Sequence, residues 1–459
     1  MTLTAYLDTL KGKSVAVIGI GISNVPLIRL LRAADITVTA CDKKNRAMLG
    51  DIAAELEALG CKLRLGEDYL SGLCEDVIFR TPGLHPRYLE EAKKRGSIIT
   101  SEMEVFFEVC PCPIIAITGS DGKTTTTTMI AGLLRASGKT VHLGGNIGHP
   151  LLADTENIRE DHFAVVELSS FQLMTMKKSP CRAVLTNLSP NHLDVHTDMD
   201  EYVNAKKAIF AYQNKCDLLV TNLDNEIAKR VSCEAVGKLE YFTRKDHDRI
   251  ENGCYWKGDA IWYRAGDADR CVLKHEDILL PGVHNIENYM AAICAVQGLV
   301  DDETIRTFAR TFGGVEHRIE LVRERRGVRW YNDSIASSPS RTIAGLNSFA
   351  QRIVLIAGGK DKGISYTEIG PVINERVKLL ILCGATAGVI REATLCADNY
   401  DGLEILEVDD YRAAVALADE RTGDGDIVIL SPASTSFDRF KNFEERGRVF
   451  KDLVRQLPE

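Results

Sequence analysis

The chain has 459 residues, of which 45% are hydrophobic and 26% are charged, and its formal net charge is −9. This length predicts about three domains with buried cores, and the acidic balance argues against nucleic-acid binding. The thirteen cysteines are scattered without paired Cys-x-x-Cys spacing, so we expect reduced thiols in the cytoplasm and no zinc ribbon. No run of about twenty apolar residues occurs, and we expect no membrane insertion.

The first hundred residues alternate short apolar strands with amphipathic helices. Strands are predicted at residues 15–19, 36–41 and 76–79, and apolar residues recur with helical spacing over residues 25–33. This alternation is typical of a parallel, doubly wound sheet. We therefore predict a first α/β domain over residues 1–101.

A turn of the dinucleotide-binding type follows the first of these strands. It reads Gly19-Ile20-Gly21-Ile22-Ser23-Asn24, and Asp42 stands about twenty residues further on. Asn24 replaces the third glycine of a nicotinamide-binding turn, so a turn without a ligand is as good an interpretation as a nicotinamide site. A nucleotide diphosphate, held by the loop and the following helix start, fits better than either.

The strand and helix pattern restarts with a phosphate-binding motif. The apolar run Ile114–Thr118 leads into Gly119-Ser120-Asp121-Gly122-Lys123-Thr124-Thr125. The motif is shorter than the standard one, because Ile117 stands where the standard loop has a glycine. Lys123 is expected to reach the outer phosphates of a nucleotide and Thr124 to coordinate Mg²⁺. The alternative is a Gly/Lys turn that binds nothing.

Polar side chains end the strands predicted next, at residues 163–168, 183–187 and 217–221. Glu167 ends the first of them, where parallel sheets place ligands, so it is either an Mg²⁺ ligand or a merely solvated acid. Behind a phosphate loop we favour the metal role.

Two histidines, His192 and His196, lie four residues apart after the next predicted strand. The zinc-protease pattern needs a glutamate directly after the first histidine, but Leu193 stands there, and we reject that interpretation. His192 is the better candidate for a metal ligand or substrate contact, and we expect a capping or supporting role for His196.

A predicted helix over residues 202–210 carries the adjacent lysines Lys206 and Lys207. Adjacent helical residues point about 100° apart, so only one of them can easily face a site. Two surface lysines are the ordinary interpretation of such a pair.

A third restart follows Arg318, with strands predicted at residues 328–331, 352–357, 379–383, 403–408 and 426–430. These strands again alternate with helical segments. We therefore predict a central domain over residues 102–314 and a last α/β domain over residues 315–459.

Motifs along nearly the whole chain together resemble those of the Mur ligase family. They are the phosphate loop and the segments at residues 144–148, 167–173, 191–194, 205–206, 284–288, 316–318 and 332–334. The compact first domain and the segments at residues 430–436 and 440–443 are similar to family members that add D-glutamate to UDP-N-acetylmuramoyl-L-alanine. The resemblance implies three α/β domains: a Rossmann-like N-terminal domain, a central P-loop-type ATPase domain with a mostly parallel sheet, and a Rossmann-like C-terminal domain.

The activity implied by the resemblance is an ATP-dependent amide ligation in cytoplasmic peptidoglycan precursor synthesis, by a monomer. The carboxylate of UDP-N-acetylmuramoyl-L-alanine would attack the γ-phosphate of ATP, and the amine of D-glutamate would attack the resulting acyl phosphate. One alternative is another ligase of the superfamily, such as a sister peptidoglycan ligase or folylpolyglutamate synthase, although the latter lacks an N-terminal uridine-nucleotide domain. The other alternative is a nucleotide-binding module without turnover.

The resemblance also implies roles for individual residues. The catalytic residues would be Lys123, Asn146, Glu167, His192 and Lys206. The ATP contacts would be Gly119, Ser120, Asp121, Gly122, Lys123, Thr124, Thr125, Asn285, Asn288, Arg318 and Asp333. The UDP-substrate contacts would be Ile22, Ser23, Asp42, Thr81, Pro82, Gly83 and Asn146.

The family resemblance further implies two Mg²⁺ ions. Thr124 and Glu167 would hold one ion, and His192 and a carbamylated Lys206 would hold the other. Carbamylation turns the ammonium into an anion, which explains a lysine beside a metal.

For D-glutamate, the matching residues are Ser436, the backbone of Phe443, and either Lys360 or Lys362. The chain departs from the family at Ile335, where the family usually has a lysine. We expect Lys360 or Lys362 to supply the missing cation.

Overall fold

The structure, a computed structural model, describes residues 1–190, 196–245, 250–361 and 364–458. The chain forms two compact units: the first comprises Met1–Asp277 and His284–Ala309, and the second comprises Ile278–Val283 and Arg310–Glu459. The three-domain division, with boundaries near residues 101 and 314, stays a prediction. No helix in the described ranges is long and apolar enough to cross a membrane.

The first sheet has five strands, all parallel to their neighbours. The strands are β1 (Val15–Ile18), β2 (Val38–Asp42), β3 (Lys62–Leu65), β4 (Val77–Phe79) and β5 (Ile98–Thr100). The helices of this region are α1 (Leu3–Leu10), α2 (Asn24–Ala33), α3 (Arg46–Leu49), α4 (Asp51–Ala58), α5 (Glu90–Lys94) and α6 (Glu102–Val109), with a 3-10 turn at Pro86–Leu89. The strand order β3-β2-β1-β4-β5 is that of the predicted doubly wound sheet.

The second sheet has nine strands and continues the first compact unit. The strands are β6 (Ile114–Thr118), β7 (Val141–Gly145), β8 (Phe163–Glu167), β9 (Arg182–Leu185), β10 (Leu218–Asn222), β11 (Lys238–Thr243), β12 (Asn252–Lys257), β13 (Ala260–Ala265) and β14 (Ala268–Lys274). The helices are α7 (Lys123–Ala136), α8 (Ser170–Leu173), α9 (Met199–Lys207), α10 (Glu226–Ser232), α11 (Val283–Ala295) and α12 (Asp302–Thr311), with 3-10 turns at Leu152–Asn157 and His275–Asp277. In the order β14-β13-β12-β11-β10-β9-β6-β8-β7, strand β6 lies between β8 and β9.

The third sheet belongs to the second compact unit. Its strands are β15 (Glu320–Arg325), β16 (Val328–Asn332), β17 (Ile353–Ala357), β18 (Val377–Leu382), β19 (Glu404–Glu407) and β20 (Ile427–Leu430), in the order β15-β16-β20-β17-β18-β19. Its helices are α13 (Pro339–Leu346), α14 (Ile369–Arg376), α15 (Ala387–Leu395), α16 (Tyr411–Glu420) and α17 (Phe443–Arg455). Only β15 runs antiparallel to its neighbour among the paired strands of this sheet in the described ranges.

The three sheets confirm the predicted fold class, and every predicted strand occurs within two residues of its predicted ends. The cores also follow from the sequence, because continuous apolar strands bury side chains on both faces of a sheet. Alternate residues of β1 enter different clusters: Val15 and Val17 enter one, whereas Ala16 and Ile18 enter the other. The first of these clusters continues to Ala116 on β6.

Candidate active site

The phosphate-binding motif forms a tight loop between the buried strand β6 and the start of α7. Gly119 and Gly122 have φ values of +152° and +77°, in the region that favours glycine. A Cβ atom on Gly119 would lie 1.9 Å from the Thr186 hydroxyl, and one on Gly122 would lie 2.5 Å from Asn288 Oδ1. The loop therefore needs both glycines, and it ends on a helix N-terminus, where unsatisfied N–H groups attract anions.

Lys123 begins α7 and folds back over this loop. Its Nζ donates to the carbonyl oxygens of Gly119 and Ser120, at 2.9 Å each. Thr124 follows on the half-buried side of the first turn, whereas Thr125 is buried. The loop thus carries a cation and a hydroxyl beside the helix start, as a nucleotide phosphate requires.

The other polar residues of the loop shape it from within. The Ser120 hydroxyl lies 2.8 Å from the Tyr202 hydroxyl and donates to the carbonyl of Ser189 at 3.0 Å. The N–H of Asp121 donates to Asn187 Oδ1 at 2.9 Å, and its carbonyl accepts from the Thr186 hydroxyl. Internal contacts therefore occupy the Ser120 side chain, and Asp121 is exposed at the tip.

Glu167 ends β8, and its carboxylate is 1% exposed. Oε1 accepts a hydrogen bond from Asn146 Nδ2 at 2.7 Å, and the Asn146 N–H donates to the Glu167 carbonyl at 2.8 Å. Oε2 is buried and has no hydrogen-bond partner among the described residues. Burying such an oxygen is costly unless something satisfies it, and a hard cation such as Mg²⁺ prefers carboxylate oxygen. Glu167 therefore fits the predicted Mg²⁺ site.

Lys206 reaches the same place from α9 and is 2% exposed. Its Nζ donates to Thr118 Oγ1 at 3.1 Å and to the Gly119 carbonyl at 2.9 Å, and it lies 4.9 Å from the centre of the Tyr202 ring. Burial and, next, the positive charge of Lys123 lower the pKa of Lys206 well below its usual range. The neighbouring Lys207 points elsewhere and pairs with Glu234. The surface interpretation is therefore wrong for Lys206.

Two asparagines of α11, Asn285 and Asn288, lie beside the phosphate loop and the first turns of α7. Asn288 Oδ1 accepts from the Thr126 hydroxyl at 3.3 Å, and Asn288 Nδ2 donates to Asn285 Oδ1 at 3.0 Å. Both asparagines are buried. The structure thus brings these two predicted ATP contacts to the loop, although they are more than 150 residues away along the chain.

Of the two histidines His192 and His196, the described residues include His196. His192 lies outside the described residues. His196 is buried, with Nε2 2.9 Å from the Ser170 hydroxyl and its ring stacked on Phe171. This packing against α8 agrees with the supporting role expected for His196.

The predicted UDP-binding residues gather at the carboxyl ends of β1, β2 and β4. Gly19 has φ +91°, and a Cβ there would lie 2.9 Å from Thr81. The Asp42 carboxylate accepts from the N–H of Ile20 at 2.6 Å, and Ile22 and Ser23 are exposed at the start of α2. Pro82 and Gly83 follow Thr81 in the turn after β4, which the N–H of Leu84 closes.

Asn24, which replaces the third glycine of the dinucleotide motif, has a structural role. It is buried, and its Nδ2 donates to the Ile18 carbonyl at 2.8 Å. This bond ties the first turn of α2 to the end of β1.

Sequence reasoning missed Arg80, which is 1% exposed and lies under the same turn. Its guanidinium donates to the Leu84 carbonyl at 3.0 Å and to the Phe171 carbonyl at 2.6 Å. It thereby links the turn after β4 to α8, which follows Glu167. The only signal was a charged residue directly after an apolar strand.

The remaining predicted ATP contacts, Arg318 and Asp333, lie in the second compact unit. Asp333 follows β16 and is buried, and its carboxylate accepts from the Ser431 hydroxyl at 2.8 Å. Burial raises the pKa of Asp333 to about 7, against the opposing effects of the Ser431 hydrogen bond and the charge of Arg318.

The predicted D-glutamate residues lie at the carboxyl edge of the third sheet, after β20 and β17. Ser436 is buried, Phe443 begins α17, and the backbone of Lys360 exchanges hydrogen bonds with Thr435. Lys362 lies outside the described residues. The Ser334 hydroxyl donates to the Phe443 carbonyl at 2.7 Å, so the start of α17 is fastened to the segment after β16.

A fully buried Arg446, also missed in the sequence, organises this edge. Its guanidinium donates to the Ser334 hydroxyl and carbonyl, at 3.0 and 2.8 Å, and to the Ser434 carbonyl at 3.0 Å. Because backbone and hydroxyl oxygens occupy it, Arg446 positions the loops rather than binding a ligand.

Two family models match the chain: the Mur ligase middle domain over residues 117–296 and the Mur ligase glutamate ligase domain over residues 317–434. The chain is 51% identical to the UDP-N-acetylmuramoylalanine–D-glutamate ligase of Acetivibrio thermocellus, and the match covers 99% of each chain. It is 50% identical to the enzyme of that name from Ruminiclostridium cellulolyticum, again over 99% of each chain.

A solved structure is similar in fold. It is the UDP-N-acetylmuramate-alanine ligase of Thermotoga maritima, with a TM-score of 0.58 and 16% sequence identity. The match covers 97% of this chain and 100% of that one. At this identity the likeness supports the fold alone.

Proposed function

This chain belongs to the Mur ligase family, and we propose that it joins D-glutamate to UDP-N-acetylmuramoyl-L-alanine and converts ATP to ADP and phosphate in the same reaction. Membership of the family implies the use of ATP and Mg²⁺. The observation that carries the proposal is the meeting of Lys123, Lys206 and the unpartnered Glu167 oxygen around one phosphate loop. We further propose that the protein acts as a monomer in the cytoplasm, on a peptidoglycan precursor.

The first chemical step would activate the substrate carboxylate. One of its oxygens attacks the γ-phosphorus of ATP, the bond to the β-phosphate oxygen breaks, and an acyl phosphate and ADP result. Phosphoryl transfer depends mainly on positioning and on neutralising charge. The Lys123 ammonium, held over the loop by two carbonyl oxygens, would supply a positive charge at the γ-phosphate.

The second step would form the amide bond. The amine of D-glutamate attacks the acyl carbon, the carbon–oxygen bond to phosphate breaks, and the amine loses a proton. Asn146, which donates a hydrogen bond to Glu167, would contact the substrate near this carbon. Ser436 and the start of α17 at Phe443 would hold the acceptor carboxylates, because helix N-termini favour anions.

The metal ligands would be hydroxyl, carboxylate and carbamate oxygens and one imidazole nitrogen. Thr124 and Glu167 would hold one Mg²⁺, while His192 and a carbamylated Lys206 would hold a second. When bound, the ions neutralise charge on the transferring phosphate. Burial lowers the pKa of Lys206 well below its usual range, which favours the uncharged amine that adds to carbon dioxide.

The nucleotide end of the substrate would lie on the first sheet. Its binding surface would include Asp42, the exposed helix start at Ile22 and Ser23, and the turn Thr81-Pro82-Gly83. The placement of these residues at the carboxyl ends of parallel strands supports this assignment.

Transfer of isotope tests the acyl phosphate directly. With ¹⁸O in the alanine carboxylate of the substrate, we expect one ¹⁸O in each phosphate released in the presence of D-glutamate and ATP. Phosphate without the label would show that water attacks ATP and would overturn the proposed reaction. A reaction without D-glutamate, analysed in the same way, serves as the control.

A further inference from the structure

We propose that Arg341 binds a carboxylate of the amino-acid acceptor. It would supply the positive charge that the family usually has in a lysine at the position of Ile335. This inference rests on the proposed function and adds a specificity-determining residue to it. It differs from our sequence-based expectation, which assigned the missing cation to Lys360 or Lys362.

Arg341 lies in the first turn of α13, and its backbone comes six residues after Ile335. Its Nη1 donates to the Ile335 carbonyl at 3.2 Å, although the side chain as a whole is exposed. The guanidinium is thus brought back to the segment that contains the replaced lysine. A guanidinium has five N–H donors, so one bond to a carbonyl leaves others for a carboxylate.

The segment that Arg341 contacts belongs to the same edge as the predicted acceptor residues. Ile335 directly follows Ser334, whose hydroxyl donates to the carbonyl of Phe443 at 2.7 Å. On the other side, Thr342, the residue after Arg341, accepts at its hydroxyl from the N–H of Ala433 at 3.0 Å. The first turn of α13 is therefore bonded to the segment that leads to Ser436 and, through Arg341, to the Ile335 segment that contacts Phe443.

Among the described residues, three other cations near this edge are less suited to bind a carboxylate of the acceptor. Arg446 is fully buried, and Ser334 and Ser434 occupy its guanidinium. Arg318 is already one of the predicted ATP contacts. Lys360 is exposed, and the hydrogen bonds that it makes to described residues are those of its backbone with Thr435, which leave its ammonium without a fixed position.

The acceptor in the proposed reaction carries two carboxylates, and the apolar side chain of Ile335 can form neither an ion pair nor a hydrogen bond with them. An arginine suits this task, because its planar fork can bind both oxygens of one carboxylate.

Steady-state kinetics on the full chain test the proposal. We expect Arg341→Ala to raise the KM for D-glutamate about tenfold or more, while kcat and the KM values for ATP and the UDP-substrate change less than about twofold. Arg341→Lys should recover part of the loss. Arg376→Ala removes an arginine directly before β18, at the opposite ends of the strands, and should change nothing.

Restoring a lysine gives a sharper test. We expect the double variant Ile335→Lys/Arg341→Ala to return the KM for D-glutamate to within about threefold of the wild-type value, because a cation is again present. Thermal unfolding of each variant, followed by circular dichroism, should give a Tm like that of the wild type.

Several results would overturn the assignment of Arg341. An unchanged KM for D-glutamate in Arg341→Ala, or a tenfold rise in Lys360→Ala instead, would do so. A lowered Tm together with a lost kcat, and no rescue by Ile335→Lys, would assign Arg341 a structural role. A wild-type protein that releases no ADP in response to D-glutamate would overturn the proposed function itself, and this inference with it.

Discussion

At the scale of single residues, two adjacent lysines on α9 show how the fold gives neighbouring side chains of one type different surroundings. Lys206 enters the phosphate loop and is 2% exposed, whereas Lys207 pairs with Glu234. Their directions differ because successive helical residues point about 100° apart. Only the three-dimensional fold decides which of the two faces the loop.

This difference gives a matched pair of variants. Because an uncharged amine can add to carbon dioxide, we expect ¹³C-bicarbonate to give a carbamate resonance in the wild-type protein and none in Lys206→Ala. Lys206→Ala should also lose about 100-fold or more of the ligase activity. Carbon-13 NMR and ADP release measure the two effects.

Lys207→Ala is the control, and we expect it to retain both the resonance and the activity. A resonance that survives in Lys206→Ala but disappears in Lys207→Ala would contradict the assignment.

Much of the candidate site could be predicted at this scale, because the motif residues sit next to strand ends that the sequence shows. The unpartnered oxygen of Glu167 and the buried guanidiniums of Arg80 and Arg446 could not. Their roles depend on contacts between segments far apart in the chain, such as Arg80 with Phe171. Residue type and spacing carry no record of those contacts.

At the scale of elements, the phosphate loop depends on glycines that lie close to side chains of other elements. Gly122, just before α7, has φ +77°, and a Cβ added there would lie 2.5 Å from Asn288 Oδ1. Gly138, just after the same helix, has φ +80°, but a Cβ added there would meet no other residue's atoms within 4 Å. Comparing the two separates backbone strain from crowding of the loop.

We expect Gly122→Ala to raise the Kd for ATP at least about tenfold, because the new methyl group would displace Asn288 from the loop. Gly138→Ala should leave the Kd within about twofold, and each variant should lose about 1 kcal/mol of stability from its positive φ. Calorimetric titration with ATP and urea unfolding measure these effects. Equal changes in the Kd would contradict the role given to the loop.

Helix α6 carries an element-scale prediction about pH. Its first residue, Glu102, accepts a hydrogen bond from the N–H of Leu152 at 2.9 Å, and burial raises its pKa from 4.5 to about 7. The folded protein therefore binds a proton that the unfolded chain releases between these two values, so stability from this group falls as the pH rises from 4.5 to 7.

Glu102→Gln keeps an acceptor oxygen but cannot ionise. We expect the variant to match the wild type at pH 4.5 and to exceed its free energy of unfolding at pH 8 by up to about 3 kcal/mol. Urea unfolding at both pH values measures the difference. A gain that is the same at both pH values would show that the ionisation of Glu102 is not its cause.

The alternation of strands and helices was largely predictable, but the sequence analysis predicts no strand at β3, β5, β7, β11, β12, β13, β14 or β15. Of these, the antiparallel strands β12, β13 and β14 follow a turn pattern that the sequence does show. Their signal is local: Gly258 and Asp259 both have positive φ and join paired strands in a two-residue turn. This region breaks the alternation of strand and helix that holds elsewhere, because β12, β13 and β14 follow one another without a helix between them. These three strands extend the second sheet at one edge, beyond β11.

At the scale of the whole molecule, each of the three sheets carries a different part of the proposed reaction at the carboxyl ends of its strands. The first presents Asp42 and Thr81, the second the phosphate loop with Glu167, and the third Asp333. Because parallel sheets gather loops at one edge, this placement follows from the strand order of each sheet. The repeated α/β pattern of the sequence therefore predicts where each part lies within its own sheet.

The most direct test of the proposed function is ADP release by the purified chain with ATP, Mg²⁺, UDP-N-acetylmuramoyl-L-alanine and a panel of D- and L-amino acids. We expect release with D-glutamate and background rates with L-glutamate and with the other amino acids. The chain without the UDP-substrate should also give background rates. Release driven by a different amino acid, and none with D-glutamate, would contradict the account.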